Sequence, residues 1–302
     1  MQYCVHDRIK HKKIARFIYP RVDWAFKRIF GSEDTKECLI TFLNGLFEDE
    51  LVIKDVTFAK TEKLGLRPDD RGVVFDVYCV TNEGKHVIVE MQKKEQEYFA
   101  DRALYYTARA IVQQGVRGIW DYHLAPVYTV CFMDFVSDSP VLKKFRTDLV
   151  LTDLQTRQRV SDRMRIVYLQ LPLFDKHTEA ECMDIFDCWI YIVKNMNMFE
   201  QMPFSEKYPV FRKLAEIGDL RKLSREELEL YDEDIKNMRD IYATRKFDEK
   251  RGMEIGMAKG MEKGMAKEKI ATAYRLLSMG LSEAQVATAT ELPLEEIQKM
   301  KE

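Results

Sequence analysis

Hydrophobic and polar positions alternate most clearly between residues 73 and 92, and the rest of the chain is organised around this stretch. Residues 73–80 and 86–92 are rich in β-branched and aromatic side chains, which predicts two strands. The intervening Asn-Glu-Gly at 82–84 has the length and composition of a hairpin loop, with glycine at the left-handed position. A helical period follows as far as Gln113, so the pattern predicts strand, tight turn, strand and helix.

The hairpin register brings two carboxylates together. If the loop is three residues long, Thr81 faces Lys85 and the ladder places Asp76 directly opposite Glu90. Because side chains alternate between faces, Asp76, Glu90 and Gln92 point the same way. Neighbouring like charges repel, and oxygen donors of this kind suit Mg²⁺ or Mn²⁺. A second interpretation stays open here, since acidic residues on strands also form the solvated face of a half-buried sheet.

The helix after the hairpin carries two stripes. The apolar stripe contains Ala103, Leu104, Ala108 and Ile111. The second stripe, at spacing i, i+4, i+7 and i+11, contains Arg102, Tyr106, Arg109 and Gln113. Two arginines about two turns apart beside a carboxylate pair suit phosphate recognition. Ordinary surface arginines would give the same spacing.

Weaker periodicities predict the other elements. Predicted strands cover residues 52–60, 126–135 and 165–171, and predicted helices cover 23–30, 37–47, 179–199 and two stretches between 204 and 245. Asp23 is a candidate N-cap of the first of these helices. The sequence predicts a loop at residues 61–71 and a basic arm at residues 1–19 that packs on the core.

Several of these segments resemble a known family, the recombination-promoting nuclease (Rpn) group, also described as transposases, of the PD-(D/E)xK nuclease superfamily. The resemblance rests on segments that occur in this order: Asp23-Trp24-Ala25-Phe26-Lys27-x-Ile29-Phe30-Gly31, Asp76, Glu90-Met91-Gln92, Phe99-x-x-Arg102-x-x-x-Tyr106, Gln113-Gln114-Gly115-x-x-Gly118-x-Trp120-x-Tyr122 and Pro126-Val127-Tyr128. It covers roughly residues 20 to 250. One departure from the wider superfamily is Gln92, which stands where that superfamily usually has lysine.

The resemblance implies an α/β fold with a restriction-endonuclease-like core, a mixed central sheet flanked by helices, followed by an all-α C-terminal half. It also implies a Mg²⁺-dependent endodeoxyribonuclease, with Mn²⁺ as an alternative ion and double-stranded DNA as the substrate. Asp76, Glu90 and Gln92 would be catalytic, the two carboxylates would hold the ion, and Asp23 would be a further ligand. Residues that would contact phosphate or DNA are Arg102, Arg109, Lys27, Gln113 and Tyr106. For Asp23 and Lys27, a role in capping and solvating their helix remains an equal alternative.

Composition adds bounds to this interpretation. A chain of 302 residues with 46% hydrophobic content can bury one large core or two modest ones. The net charge of −2 gives no global basic field, so DNA contacts must come from local patches. No apolar run approaches the roughly 18 residues of a membrane span, and no CxxC pair occurs among the six cysteines. We therefore expect a cytoplasmic protein with reduced thiols and no membrane partner.

The C-terminal half changes character. We predict a nuclease core over residues 1–175, a helical cover over 176–250, a linker over 251–268 and a small helix-turn-helix-like tail over 269–302. Residues 252–267 repeat with period four, as GMEI-GMAK-GMEK-GMAK. Since each glycine costs about 1 kcal/mol in a helix, this stretch predicts a frayed helical linker or, alternatively, a dimer seam. A homodimer through the helical half or this repeat follows from the second interpretation.

Two other functions remain open at the level of sequence. One is a catalytically inactive DNA-binding or regulatory protein that keeps the nuclease fold, which the glutamine at 92 allows. The other is a protein-interaction scaffold that works through the helical half and the repeat. A transposase with three catalytic acids fits less well, because no third acid is evident. Because no base-reading helix is evident, we expect cleavage with low sequence specificity, linked to DNA recombination or mobile elements.

Overall fold

The structure is a computed structural model, and it describes residues 15–48, 50–63 and 72–300. The strands are β1 (Val56–Phe58), β2 (Glu62–Lys63), β3 (Val73–Val74), β4 (Val77–Thr81), β5 (His86–Gln92), β6 (Val127–Met133), β7 (Arg146–Thr152) and β8 (Arg159–Gln170). The α-helices are α1 (Asp23–Phe30), α2 (Lys36–Leu46), α3 (Phe99–Val112), α4 (Ile185–Asn195), α5 (Pro209–Ile217), α6 (Arg225–Ser278), α7 (Glu283–Thr290) and α8 (Leu294–Lys299). This is the mixed α/β core and helical C-terminal region that the sequence predicts.

Six strands form one mixed sheet in the order β1-β4-β5-β6-β8-β7. The central strands β5, β6 and β8 run parallel, while β1, β4 and β7 add antiparallel neighbours. Parallel strands buried on both faces are near-continuous apolar runs, and the middle of β5, Val87–Val89, is fully buried. The sheet therefore provides a rigid frame for the side chains that β5 carries.

One face of the sheet is covered by α3. Buried Ala110 packs with Phe75, Tyr78 and Ile88 of the hairpin region, and the N-terminal half of the helix packs over β6 and β8. The Thr107 hydroxyl lies 2.7 Å from the Thr129 hydroxyl inside this contact. The predicted apolar stripe is wrong for Leu104, which is 49% exposed, because Ala103 and Thr107 are the buried residues at this part of the helix.

The opposite face is covered by α1, α2 and α4 through aromatic side chains. Phe132 of β6 lies within 5.0–6.1 Å, between ring centroids, of Phe26, Phe30 and Phe42. The Trp189 ring of α4 lies 5.4 Å from that of Phe30 and is completely buried. Trp189 thus belongs to the core, and the same packing fixes the position of α1 over the sheet.

Several predicted boundaries change in the structure. The predicted strand at 73–80 is divided, since β3 pairs with β2 in a separate two-stranded sheet and the main strand begins at Val77. The strand at 52–60 shortens to β1, the strand at 165–171 lengthens to β8, and β7 was not predicted. The helix at 179–199 shortens to α4 with 3₁₀ turns before and after it. Predicted features at residues 1–14 and 64–71 lie outside the described residues.

The chain divides into two compact units between residues 235 and 236. In the second unit, the period-four stretch 252–267 lies wholly inside the 54-residue helix α6, with no break at any of its glycines. A capping box formed by Ser282 and Gln285 begins α7. Ala273, Val286 and Ile297 then form a small buried cluster among the last three helices.

Candidate active site

The two carboxylates of the hairpin meet as its turn length predicts. Val77 pairs with Val89 and Tyr78 with Ile88, so the next position sets Asp76 against Glu90. The Asp76 N–H donates to Glu90 Oε1 at 3.2 Å, and the Met91 N–H donates to Asp76 Oδ2 at 2.7 Å. Asp76 lies at a bend just before β4, where its carboxylate accepts a backbone amide of the neighbouring strand. Each carboxylate is thus held by a backbone amide.

Burial makes this pair electrostatically unfavourable when both members are ionised. Glu90 is only 4% exposed. Burial, together with the negative charge of Asp76, raises the pKa of Glu90 to about 8, despite the Asp76 N–H and the positive charges of Arg102 and Lys27. Burial and the charge of Asp23 also raise the pKa of Asp76, although the Met91 N–H opposes this. Such a pair either keeps a proton or needs a cation between its oxygens.

Gln92 extends the same row of oxygen donors. It ends β5, is 7% exposed, and by strand alternation lies on the face of the sheet that carries Glu90. The backbone carbonyl of Gln92 accepts the Asp134 N–H at 2.8 Å, which fixes this end of the strand against β6. Two carboxylates and an amide oxygen form a donor set that suits a hard divalent ion.

Helix α1 brings a second acid and an ammonium group to the pair. Lys27 Nζ lies 2.8 Å from Asp23 Oδ2, and both side chains are about half exposed. Burial would lower the pKa of Lys27, but the hydrogen bond to Asp23 and the negative charges of Asp23, Asp76 and Asp234 outweigh it and raise that pKa. The predicted cap is wrong, because Val22 is the N-cap residue and Asp23 is the first residue of the helix.

Helix α3 brings a guanidinium group from the other side. Arg102 Nη2 lies 3.8 Å from Glu90 Oε2, and Arg102 Nη1 donates to Gln96 Oε1 at 3.0 Å. The guanidinium also lies over the Tyr106 ring, 5.3 Å from its centroid. Tyr106 in turn packs edge-on against Phe75, at 5.5 Å between ring centroids. Arg102 is therefore held in place by a carboxylate, an amide and an aromatic ring, while its side chain remains 32% exposed.

Comparison with models of protein families shows which family this chain belongs to. The family model for PD-(D/E)XK nuclease family transposases matches residues 20–246. The chain belongs to this family. No curated protein and no solved structure matched the chain in the other two comparisons. The match spans the hairpin, α1 and α3, so the carboxylate pair lies within the part of the chain that is shared with PD-(D/E)XK nucleases.

PD-(D/E)XK nucleases generally use divalent metal ions, and the donors around Glu90 fit such an ion. Across the described ranges, no three His, Cys, Asp or Glu side chains already stand close enough together to hold a metal. A cation here would therefore be shared between the two carboxylates, the Gln92 amide and groups that come from solvent or substrate. This incomplete protein donor set is typical of Mg²⁺, which keeps several waters.

Two further residues predicted for this PD-(D/E)XK site lie further along α3. Arg109 is seven residues beyond Arg102 and Gln113 is eleven, which corresponds to roughly 10 and 16 Å of helix. Arg109 is 6% exposed, so the protein encloses it, whereas Gln113 is half-buried at the C-terminal end of the helix. The structure thus brings Asp76, Glu90, Gln92, Asp23, Lys27, Arg102 and Tyr106 to one region and places Arg109 and Gln113 towards the other end of α3.

Two further residues support this region: sequence reasoning missed Asp234, and it named Gln114 only within a family motif. Asp234 of α6 accepts the Trp24 N–H at the start of α1, at 2.6 Å. Gln114 makes two hydrogen bonds to the backbone of Ala125, at 2.7 and 3.1 Å, and so closes the loop between α3 and β6. No local pattern reveals the first contact, which spans 210 residues of sequence. The contact of Gln114 with Ala125 gives part of the Gln113-Gln114-Gly115 motif a structural role.

The raised pKa of Glu90 gives a stability prediction. Without a divalent ion, protonation of Glu90 stabilises the fold fully below its ordinary pKa of 4.5, and this stability is lost as the pH rises through about 8. We expect Glu90→Gln, in a chelator, to melt several degrees above the wild type at pH 8 and close to it at pH 5, because the wild type loses the stabilising proton as the pH approaches 8 whereas glutamine carries no charge at either pH. Calorimetric melting curves at both pH values measure this.

Manganese provides the control for that experiment. Ligand binding stabilises only a folded state that binds it, so Mn²⁺ should raise the wild-type melting temperature and leave Glu90→Gln nearly unchanged. An equal pH dependence in the two proteins would mean that Glu90 is not the group that titrates.

Proposed function

We propose that this protein is a divalent-metal-dependent DNA endonuclease that hydrolyses phosphodiester bonds with low sequence specificity. The observation that carries the proposal is the buried Asp76–Glu90 pair. The pKa of Glu90 is raised by burial and the charge of Asp76, and the pKa of Asp76 is raised by burial and the charge of Asp23. A fold that keeps two carboxylates in such a position at a cost in stability favours a site for a cation. Membership of a nuclease family supplies the reaction class.

In this proposal Asp76 and Glu90 would hold one Mg²⁺ or Mn²⁺, and the amide oxygen of Gln92 would be a weak further ligand. The ion, when bound, polarises the scissile phosphate and lowers the pKa of a water. Gln92 orients that water through hydrogen bonds, because an amide cannot act as a general base. Asp23 is the candidate for an additional ligand, since its charge already acts on Asp76.

Two cations of the chain would stabilise the charge that develops on the phosphoryl oxygens. Arg102 is oriented by Glu90 and Gln96, and its exposed fraction leaves donors free to face substrate. Lys27 lies close enough for its charge to act on both Asp76 and Glu90. We assign to Lys27 the ammonium function that Gln92 lacks at the usual lysine position, because a positive charge on the other side of the pair serves the same electrostatic purpose. Gln113 would contact the DNA backbone beyond the scissile bond, whereas Arg109 is enclosed by the protein and is not proposed as a DNA contact.

Low sequence specificity follows from the kind of contact these residues make. Arg102 and Lys27 are placed beside carboxylates and would meet phosphates, which carry no sequence information. Sequencing the ends of the fragments produced from a plasmid tests this point. We expect ends spread over many sequences, whereas ends confined to one short motif would contradict the proposal. A link to recombination or mobile elements is proposed from the family alone.

A non-catalytic DNA-binding role is the second candidate, and Gln92 favours it because no lysine occupies that position. Binding and cleavage separate the two candidates when both are measured on the same duplex. Retained binding with no cleavage at any divalent-ion concentration would support the non-catalytic role.

Within the described part of the chain, no helix is long and apolar enough to cross a membrane. We propose a cytoplasmic location because the substrate is DNA.

A second copy of the chain is the proposed partner of residues 252–267. Met253, Met257, Met261 and Met265 are 58–76% exposed, and the intervening glycines have open space at the Cβ position. We expect a double change, Met257→Lys with Met261→Lys, to convert a dimer into a monomer in sedimentation equilibrium. If the measured mass did not change, either the dimer contact would lie in the helical half of the first unit or the chain would not form this dimer.

A further inference from the structure

The first turns of α6 contact α1 through one face. Glu227, Tyr231 and Asp234 are spaced i, i+4 and i+7, which places them on the same side of the helix. The Tyr231 hydroxyl accepts the Tyr19 N–H at 3.1 Å, and its ring lies 5.9 Å from that of Trp24. Glu227 forms an ion pair with Arg28 of α1. All of these contacts lie within the first compact unit.

Glu227 also fixes the start of α6 itself. The Ser224 N–H donates to Glu227 Oε2 at 2.8 Å, and the Glu227 N–H donates to Ser224 Oγ at 3.2 Å. These reciprocal bonds form a capping box, which stabilises the first turn of a helix. Arg28, the partner of Glu227, donates a further bond to the Ile217 carbonyl at 2.9 Å and lies over the Trp24 ring. Both helices are therefore held in register where they meet.

Asp234 supplies the cap that α1 lacks. The N-cap residue, Val22, has no side chain able to accept a hydrogen bond, so the amides of the first turn need another acceptor. Asp234 Oδ2 accepts the Trp24 N–H at 2.6 Å. A carboxylate at this end also interacts favourably with the helix dipole. The cap on α1 thus comes from a residue 210 positions away in sequence.

The capped turn is the turn that carries the site residues of α1. Asp23 precedes Trp24 directly, and Lys27 lies one turn later with its ammonium on Asp23. The position of Lys27 relative to the carboxylate pair therefore depends on where this turn is held. We propose that Asp234 is a positioning residue for the nuclease site, which acts through α1 by keeping Lys27 beside Asp76 and Glu90. This inference rests on the proposed function for its kinetic consequences.

The test compares two changes at one position. Asp234→Asn keeps an oxygen that can accept the Trp24 N–H, whereas Asp234→Ala removes it. We expect Asp234→Ala to lower the turnover number for plasmid cleavage about tenfold with little change in KM for DNA, and Asp234→Asn to stay within about threefold of the wild type. Asp232→Ala changes an exposed aspartate on the same helix and serves as the matched control.

A double-mutant cycle separates positioning from general destabilisation. If Asp234 acts through Lys27, then Asp234→Ala should cost no further activity once Lys27→Ala is present. A full additional tenfold loss in that background would overturn the proposal, because Asp234 would then act by another route. So would a loss in Asp234→Asn equal to that in Asp234→Ala.

Hydrogen exchange gives a readout that does not need activity. Asp234→Ala should speed exchange in the peptide that contains residues 23–30 at least threefold, and Asp234→Asn should leave it near the wild-type rate, while peptides from β5 and β6 stay unchanged in both. Unchanged exchange in residues 23–30 would contradict the role of Asp234 as the cap. If the wild type does not cleave DNA, the proposed function fails, and the exchange result still decides whether Asp234 holds α1.

Discussion

Asp76→Asn and Glu90→Gln are each expected to reduce DNA cleavage on the order of 10³-fold or more. Both changes keep the shape of the side chain and an oxygen acceptor, so the bonds from the Asp76 and Met91 amides can remain. What each change removes is half of the negative charge that would hold the divalent ion. The measurement is the initial rate of conversion of supercoiled to nicked plasmid at saturating Mn²⁺.

A matched control shows that loss of activity comes from the pair and not from folding. Asp138→Asn changes an exposed aspartate in the loop after β6, and it should cleave at the wild-type rate. The melting temperature of each variant in chelator should equal or exceed that of the wild type, since a buried repulsion is relieved. A variant that lost activity only in proportion to its loss of folded protein would refute the assignment.

Lys27→Ala has the second largest expected effect, a loss of about 10²-fold in cleavage rate with unchanged affinity for DNA. Lys27 is the ammonium group whose charge acts on both Asp76 and Glu90, and position 92 offers only an amide. Lys27→Arg keeps the positive charge and should recover part of the rate. Single-turnover cleavage gives the rate, and duplex binding in Ca²⁺ gives the affinity.

Lys36 provides the comparison for this variant. It begins α2, is paired with Asp55 at 2.8 Å, and has a similar exposure to Lys27. Lys36→Ala should leave both rate and affinity unchanged. If Lys27→Ala weakened DNA binding as much as it slowed cleavage, Lys27 would be a general phosphate contact and not part of the reacting centre.

The hairpin could be predicted because its information is local. Three loop residues with glycine at the left-handed position fix the register, and Gly84 has a φ of 78° in the structure. The register in turn sets Asp76 against Glu90. The interruption of the first strand could not be predicted, because it depends on the Asp76 carboxylate taking the Met91 amide from the neighbouring strand.

Tertiary contacts determine the burial and the partners of the residues that sequence periodicity placed wrongly or missed. Arg109 shares a helical stripe with Arg102 but is buried, and no local pattern distinguishes the two arginines. Asp234 has no local signal, because a cap from another helix leaves no mark near the helix it serves. Strand β7 was missed because its exposed positions and its ion-paired Arg146 resemble those of a loop.

The basic residues near β8 are another case in which the sequence alone does not reveal the surroundings of a side chain. Arg165 lies in an arginine-rich stretch of the sequence, yet it is 6% exposed and bonds both Glu50 and Asp148. Charge counts along a sequence do not reveal which cations are already neutralised by partners distant in the chain. The stabilisation of phosphoryl charge proposed here therefore rests on Arg102 and Lys27, whose surroundings the structure describes.

The central claim is that the Asp76–Glu90 pair holds the divalent ion of a DNA endonuclease, and plasmid nicking by the purified protein tests it most directly. We expect nicking in Mg²⁺ or Mn²⁺ that EDTA abolishes and that both Asp76→Ala and Glu90→Ala remove. Nicking that persists in EDTA, or in both variants, would contradict the claim.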